Sequence, residues 1–541
     1  MSTSFRFLFI LPVNMNQTKD SLFRSLSLWS LLLLLATSSG HIHSPDGEVN
    51  YRTALSLSRG EGYAIDPLPD GFLTREGQDG KQYPQYGPLQ PLLSVPLIKI
   101  GDLAARWIPP NWLGFQEERL TSTVPMYRPG SYGPDFPGLY PEDHQDRVRR
   151  ICFSMFNSIV TWLTVVTLAV WAIRIGIFGK SWWLLPIVYL VGTYAWPHSR
   201  PSYTETLATF FLLVSCYLAW MSKEQTQGIG IYVIAAAVGL TTACAVLTRL
   251  DSAVALPGIL LIATGSFLAN GRPALSKAAA MSIGAVAFLL VCSWIPIQNQ
   301  LRFGSLLASG YEDQKEGIQF NIPILHALWI YLLSPGKGIF WYSPPLIAAL
   351  VVWPNFFKRD RFLCLGFAWI VLAYVLIIGK WQNLGGWCWG PRHLFQVTPF
   401  LLFPLPLLLG SNLSEGLRTT GKILLGVTIV LGMLIQVSGV LVDYMWPLEK
   451  ALRTMPPTEQ TPFILSGEGY GPLLHLKTWR FDRDPDWLLV DLWRSGELGA
   501  RIVSGIVWFS LLAMTAILIR SLVGRISDSV IRHPGPPEAE Q

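Results

Sequence analysis

The sequence predicts an all-α, polytopic membrane protein of about 12 transmembrane helices (11–14), on three observations. Charged residues make up 14% of the 541 residues, against roughly 25% in ordinary globular proteins. Apolar runs of about 18 residues or more, the length that crosses a hydrocarbon core as helix, recur along most of the chain. The 22 tryptophans are the third, since indoles concentrate where bilayer meets water. The net charge of +6 carries no nucleic-acid signal, because the basic residues punctuate the apolar runs. No nucleic-acid partner is expected, and the lipid bilayer is. Six cysteines stand scattered without zinc or disulfide spacing and read as small core residues.

Taken in order, the first apolar run extends from Leu22 to Thr37, behind Arg6, Lys19 and Arg24. A cleavable signal peptide is shorter and starts nearer the first residue. Residues 1–21 are therefore expected as a cytoplasmic N-terminus and 22–40 as the first transmembrane helix. A long external loop, 41–148, follows, rich in Gly, Pro, Tyr and Asp. Within it Val49 to Arg59 reads as a short surface helix. Pro88 to Arg106 is apolar for only about 13 residues, which suits a helix lying in the membrane interface. Further runs fall at about 151–174, 182–197, 203–221, 229–248, 252–269, 277–297, 338–356, 362–379, 394–411, 422–443 and 499–520. They give a transmembrane core over 149–443, an external segment over 444–498, and a last helix with a cytoplasmic tail over 499–541. Arg174, Lys180, Lys223, Arg272, Lys277, Lys358, Arg359, Arg418 and Lys422 then all lie in inner loops, as the positive-inside rule requires. The expected location is the inner or plasma membrane.

Under this topology the unusual polar residues share one side. Asp46 and Glu48, His198 and Arg200, Glu205, Arg249 and Asp251, Tyr311, Lys337, and Trp389 to His393 all fall at outer ends of spans. A transporter places its ionisable groups nearer the midplane, on broken helices in matching halves, and no internal repeat is visible. His41, His43 and His198 show no fixed ligand spacing. No cofactor and no metal is expected, with a divalent cation as the open alternative.

The order of short motifs resembles that of the GT-C glycosyltransferases, in particular the protein mannosyltransferases and lipid A aminoarabinose transferases. Ser44-Pro45-Asp46-Gly47-Glu48 with Tyr51, Ala54 and Leu57-Ser58-Arg59-Gly60 is similar to their first external loop. Tyr83-Pro84-Gln85-Tyr86-Gly87-Pro88-Leu89 is similar to the approach to that loop's second amphipathic helix. Ser202-Tyr203-Thr204-Glu205, Leu247-Thr248-Arg249, Arg302-Phe303-Gly304, Ser309-Gly310-Tyr311, Ser334-Pro335-Gly336-Lys337-Gly338 and Gly386-Trp387-Cys388-Trp389-Gly390-Pro391-Arg392 continue the likeness over about 41–410.

The resemblance implies a transfer of sugar from a polyprenyl-phosphate donor to a lipid, glycan or protein acceptor on the external face, with inversion. It implies Asp46 as general base, with Glu48 and Glu205 as further catalytic carboxylates. Arg392, whose fork matches phosphate oxygens, would hold the leaving phosphate with Lys337 and Arg249. Tyr86, Tyr311, His198 and Trp389 would line the substrate site. Each residue also has an ordinary reading: Asp46 a turn acid, Glu48 a helix cap, Glu205 a charge favoured at a helix start, Lys337 a snorkelling amine, Trp389 part of an interface belt. Two rival functions stay open. A ligase or polymerase would use a diphosphate-linked carrier and a long late loop such as 444–498. A transporter or flippase would line a polar path towards the cytoplasm.

Overall fold

The computed structural model describes residues 17–68, 73–131, 136–224, 229–269, 271, 273–308, 310, 319–410, 415–479 and 483–531. Among these residues the only named strands are β1 (Thr74–Glu76) and β2 (Gln82–Pro84), a short antiparallel hairpin with Arg75 opposite Tyr83. The rest of the secondary structure is helical. Nine helical stretches among the described residues are long and apolar enough to cross a membrane, from His144–Ile175 to Leu498–Gly524. Each coincides with a predicted run, and the chain is a multi-pass membrane protein.

The three remaining predicted runs take other forms. The first is α1 (Gln17–Ala36), whose opening turns carry Lys19, Asp20 and Arg24 and whose Leu22, Leu26 and Leu34 are buried. The 182–197 run breaks at Thr193 into Leu184–Gly192 and Ala195–His198. The 338–356 run divides into Ile339–Tyr342, Pro345–Val351 and Trp353–Arg359. Pro344, Pro345 and Pro354 are the reason: a proline fits the first turn of a helix and breaks its interior.

The main core surrounds Trp171, which meets the rings of Phe367 and Phe403 edge-on. The Ala274–Phe303 and Leu498–Gly524 helices leave most of their apolar side chains on the surface, Leu290 and Phe509 among them. In a membrane those faces meet hydrocarbon instead of water.

The first loop has its own core, built from Ile42, Tyr51, Ile98, Tyr127 and Phe153. Its first helix, α2 (Pro45–Arg59), has a complete set of start and stop signals. Ser44 is the N-cap and accepts from Gly47 N, Pro45 holds the first position, and Asp46 and Glu48 occupy the positive end of the dipole. Gly60 closes it at φ 80°, its N–H returning to Leu57 O. The sequence suggests a surface helix from Val49; the structure starts it earlier and buries Val49, Tyr51, Thr53 and Ala54. The burying partner is α3 (Leu89–Ala104), within the apolar stretch 88–106. This 16-residue helix turns Gln90, Ser94 and Ile98 inward and leaves Leu92, Leu93, Ile100 and Leu103 exposed.

Candidate active site

Asp46 stands in the first turn of α2, at the seam between the loop core and the helical bundle. Its Oδ2 receives Arg392 NH1 at 2.5 Å and its Oδ1 receives the Tyr86 hydroxyl at 2.7 Å. Arg392 donates its Nε to Glu205 Oε1 at 2.6 Å, and its guanidinium lies 3.7 Å from the centre of the Tyr203 ring. Arg249 NH1 reaches the same Glu205 oxygen at 2.8 Å and its NH2 meets Asp251 at 2.7 Å. Three carboxylates and two guanidiniums thus form one chain, Asp46–Arg392–Glu205–Arg249–Asp251. Glu205 is fully buried, whereas Asp46 keeps 16% of its side chain exposed. The Oε2 of Glu205 is buried with no hydrogen-bond partner among the described residues.

Five different segments deliver these groups. Glu205 opens the Thr204–Met221 helix, and Arg249 caps the Gly230–Thr248 helix at its C-terminal end. Arg392 starts a 3-10 turn, Arg392–Val397. Tyr86 is brought in by the segment that leaves β2 and runs directly beneath the end of the 230–248 helix. A Cβ on Gly87 would lie 2.0 Å from Leu247 O, so only glycine permits this approach.

A cavity of about 370 Å³ opens beside the cluster, within the size range of ordinary ligand pockets. Tyr86, Thr204, Arg249, Asp251 and Arg302 form its polar side. Val246, Trp294, Phe303, Ile377 and Trp381 belong to a larger apolar side. The site therefore has a charged end joined to a greasy one.

The other residues singled out from the sequence lie apart from this cluster. Glu48, two positions beyond Asp46, receives Arg150 NH1 at 2.5 Å and NH2 at 3.0 Å, together with Arg52 Nε at 2.9 Å. Arg150 also holds Asp146, which takes a short hydrogen bond from the Tyr51 hydroxyl. Lys337 is buried, with its ammonium donating to the carbonyls of Gly386 and Gly390 at 3.0 and 3.3 Å and to Cys388 Sγ at 3.0 Å. It ion-pairs with no carboxylate among the described residues. His198 Nε2 donates to Trp389 O, 2.8 Å away, and the ring stacks on Phe395. The Trp389 ring is enclosed by Tyr342 and His475 and does not line the cavity. Tyr311 lies outside the described residues.

Arg302 and His393 stand near the site without having been among the residues proposed for it from the sequence. Arg302 lines the cavity and makes no ion pair among the described residues. His393 is buried beside Trp381 with both ring nitrogens unpaired. Arg302 stands inside one of the motif stretches named above and His393 directly after another, and nothing in their local sequence separates them from structural residues.

A second polar cluster lies behind the start of α2. His41, His43, Asp443 and Asp486 bring one ligand-type atom each to within 4.8 Å of one another. Burial and the neighbouring His41 push the His43 imidazole down to about 4. Burial alone would raise the Asp486 carboxyl, but His41, Arg119 and Arg200 hold it well below the usual carboxylate range. His198 is not part of this group.

Fold and site together define a polytopic helical membrane protein with a partly exposed charge cluster beside a cavity. The sequence matches no protein-family model and no curated protein. Among solved structures the chain is similar to ArnT from Cupriavidus metallidurans in the apo state, with 12% identity over 84% of this chain and 75% of that one and a TM-score of 0.48. It is likewise similar to the same protein bound to undecaprenyl phosphate, at 11% identity, the same coverage and a TM-score of 0.46.

Proposed function

We propose that the chain is a membrane glycosyltransferase that moves a sugar from a polyprenyl-phosphate donor to an acceptor on the external face of the plasma or inner membrane. One observation carries the reading: a partly exposed carboxylate, Asp46, touches a guanidinium, Arg392, beside a cavity with a polar end and an apolar body. A lipid-linked sugar phosphate has that same division. Its isoprenoid suits the apolar wall, and its phosphate suits the polar end formed by Arg249 and Arg302.

In this reading Asp46 is the general base. It takes the proton of the acceptor hydroxyl while that oxygen attacks the anomeric carbon. The bond from that carbon to the phosphate oxygen breaks, and the polyprenyl phosphate leaves with the electron pair. Attack opposite the leaving group inverts the centre. Arg392 and Arg249 stabilise the negative charge gathering on the phosphate. Arg392 neutralises Asp46 in the resting protein; a phosphate that draws this guanidinium away frees the carboxylate to act as a base. Glu205 fixes the angle between both guanidiniums and is a positioning residue.

The ionic groups sit at helix ends instead of along a path through the bundle, which favours transfer over transport. The test is to incubate the purified protein with a panel of radiolabelled polyprenyl-phosphate sugars and membrane extract, beside an Asp46→Asn variant. Sugar release by the wild type and not by the variant is expected. Release from no donor in the panel, or full activity in the variant, overturns the proposal.

A further inference from the structure

We infer that His41, His43, Asp443 and Asp486 form a binding site for a single divalent transition-metal ion, best suited to zinc. This site is separate from the transfer reaction and does not depend on it. His41 and His43 follow α1 directly, Asp443 ends the turn after the Glu415–Val440 helix, and Asp486 lies in the late segment before the last helix. All four side chains are buried. Two imidazoles and two carboxylates from three distant stretches constitute a ligand set that zinc takes in tetrahedral form. Zinc ligands at roughly 2.0–2.2 Å stand about 3.3–3.6 Å apart, so atoms already within 4.8 Å of one another need only small side-chain movements.

The contacts around the rings turn the four ligand atoms towards one another. His41 Nδ1 lies 3.2 Å from Ile42 O, which only accepts, so that nitrogen carries the proton. Its Nε2 is then a bare lone pair, 2.9 Å from Asp486 Oδ1. Ser39 Oγ lies 2.7 Å from His43 Nε2 and 3.5 Å from His41 O. The other His43 nitrogen, Nδ1, faces Asp443 Oδ2 at 2.6 Å. Each imidazole thus turns one nitrogen towards a carboxylate oxygen, an arrangement that a cation between them would bridge. The two rings stand 4.3 Å apart, centre to centre, so both nitrogens reach the same small space. One divalent ion satisfies all four atoms at once.

The surroundings resemble an outer shell that holds ligands in place. Backbone N–H groups of Met445 and Trp446 fix the other Asp443 oxygen at 2.9 and 3.2 Å. Arg119 and Arg200 orient Asp486, and Asp491 grips Arg119 through two hydrogen bonds. Asp443, Asp486 and Asp491 against Arg119 and Arg200 leave one net negative charge, which also favours a cation. The ion would join the start of the first loop to the late segment, three residues before Asp46.

The test uses the full-length protein in detergent, equilibrated with zinc or cobalt, desalted, and analysed for metal content. One zinc per chain, a visible absorption band typical of tetrahedral cobalt, and a lower melting temperature with a chelator are expected. His41→Gln and Asp443→Asn, the latter keeping an oxygen for the Met445 and Trp446 N–H groups, should lose the metal and the response to chelator. If either variant fails to fold, wild-type metal content and the chelator response decide. Wild-type protein that retains neither metal and melts identically with chelator overturns the site, as do folded variants that keep full zinc and the wild-type cobalt spectrum.

Discussion

Asp46 and Glu48 lie two residues apart in one helical turn, yet they belong to opposite kinds of environment. About 100° of rotation per residue carries the two side chains to widely separated faces of α2. Glu48 points into the loop core, where Arg150 and Arg52 occupy both its oxygens. Asp46 points to the bundle, stays 16% exposed, and meets a guanidinium that a ligand phosphate can compete for. Glu48 belongs to a closed network with Asp146 and Tyr51; Asp46 belongs to an open one with an unpaired oxygen on Glu205 and a cavity at its side. The comparison teaches that the type of acid does not mark the reactive one. What marks it is whether its partner can be drawn off.

Substitutions at the two positions should therefore fail in different ways. Asp46→Asn keeps the shape and the Tyr86 contact and removes the base. A positioned base contributes about 100- to 10,000-fold, so the transfer rate should fall on the order of a thousandfold, with melting temperature near wild type. A radiolabel transfer assay paired with a thermal melt reads both. Equal loss of folding and activity would place Asp46 in the structural class with Glu48.

Glu48→Gln should show the reverse. It leaves Arg150 buried with one carboxylate, Asp146, in place of two. Breaking a buried pair costs about 3–5 kcal/mol, and Asp146 keeps the expected loss near the lower end. The melting temperature should drop by several degrees while the rate per folded molecule changes little. A large fall in rate without destabilisation would break the distinction.

Arg392→Lys tests the open cluster from its other side. Arg392 spans two carboxylates, Asp46 through NH1 and Glu205 through Nε. A lysine retains the charge and loses the fork. Loss of one hydrogen bond to a charged group is worth about 1.5–3 kcal/mol, or roughly 10- to 100-fold in transfer rate. A lysine variant with wild-type kinetics would show that charge alone matters there.

The two regions also differ in how much of them the sequence disclosed. Nine of the apolar runs are helical stretches long and apolar enough to span among the described residues, because length and hydropathy alone define a span. The break at Thr193 and the division after Gly338 were partly written in the prolines, yet run-length reading smoothed over them. Asp46, Glu205, Arg249 and Arg392 were legible because each charge sits at the end of an apolar run, where charge needs a reason. Glu48 satisfied the same criterion and went to a different face, since Arg150 lies 102 residues away and no local pattern announces it. His41 and His43 were visible as a pair, but Asp443 and Asp486 join them only through the fold. Trp389 was chosen from a tryptophan-rich stretch in which Trp381 is the one that lines the cavity. Composition names that stretch without saying which ring faces inward.

The smallest expected effect lies at the outer edge of the closed network, where α3 meets the His144–Ser154 helix. Asp102 accepts Arg149 Nε at 2.6 Å and Gln145 Nε2 at 2.8 Å. Burial would raise its carboxyl, but these two donors hold it below the usual carboxylate range. A carboxyl depressed in the folded state contributes stability above its unfolded value, near 4, and that contribution is lost as pH falls through the folded value. Wild-type protein should therefore lose melting temperature on acidification below about pH 4, and Asp102→Asn should lose less over the same interval. At neutral pH the variant should be only slightly less stable, because the pair is partly exposed and screened. Parallel melting curves for both proteins from neutral to acid pH would show that the Asp102 contact contributes nothing, and would confine the closed network to Glu48, Arg150, Asp146 and Tyr51.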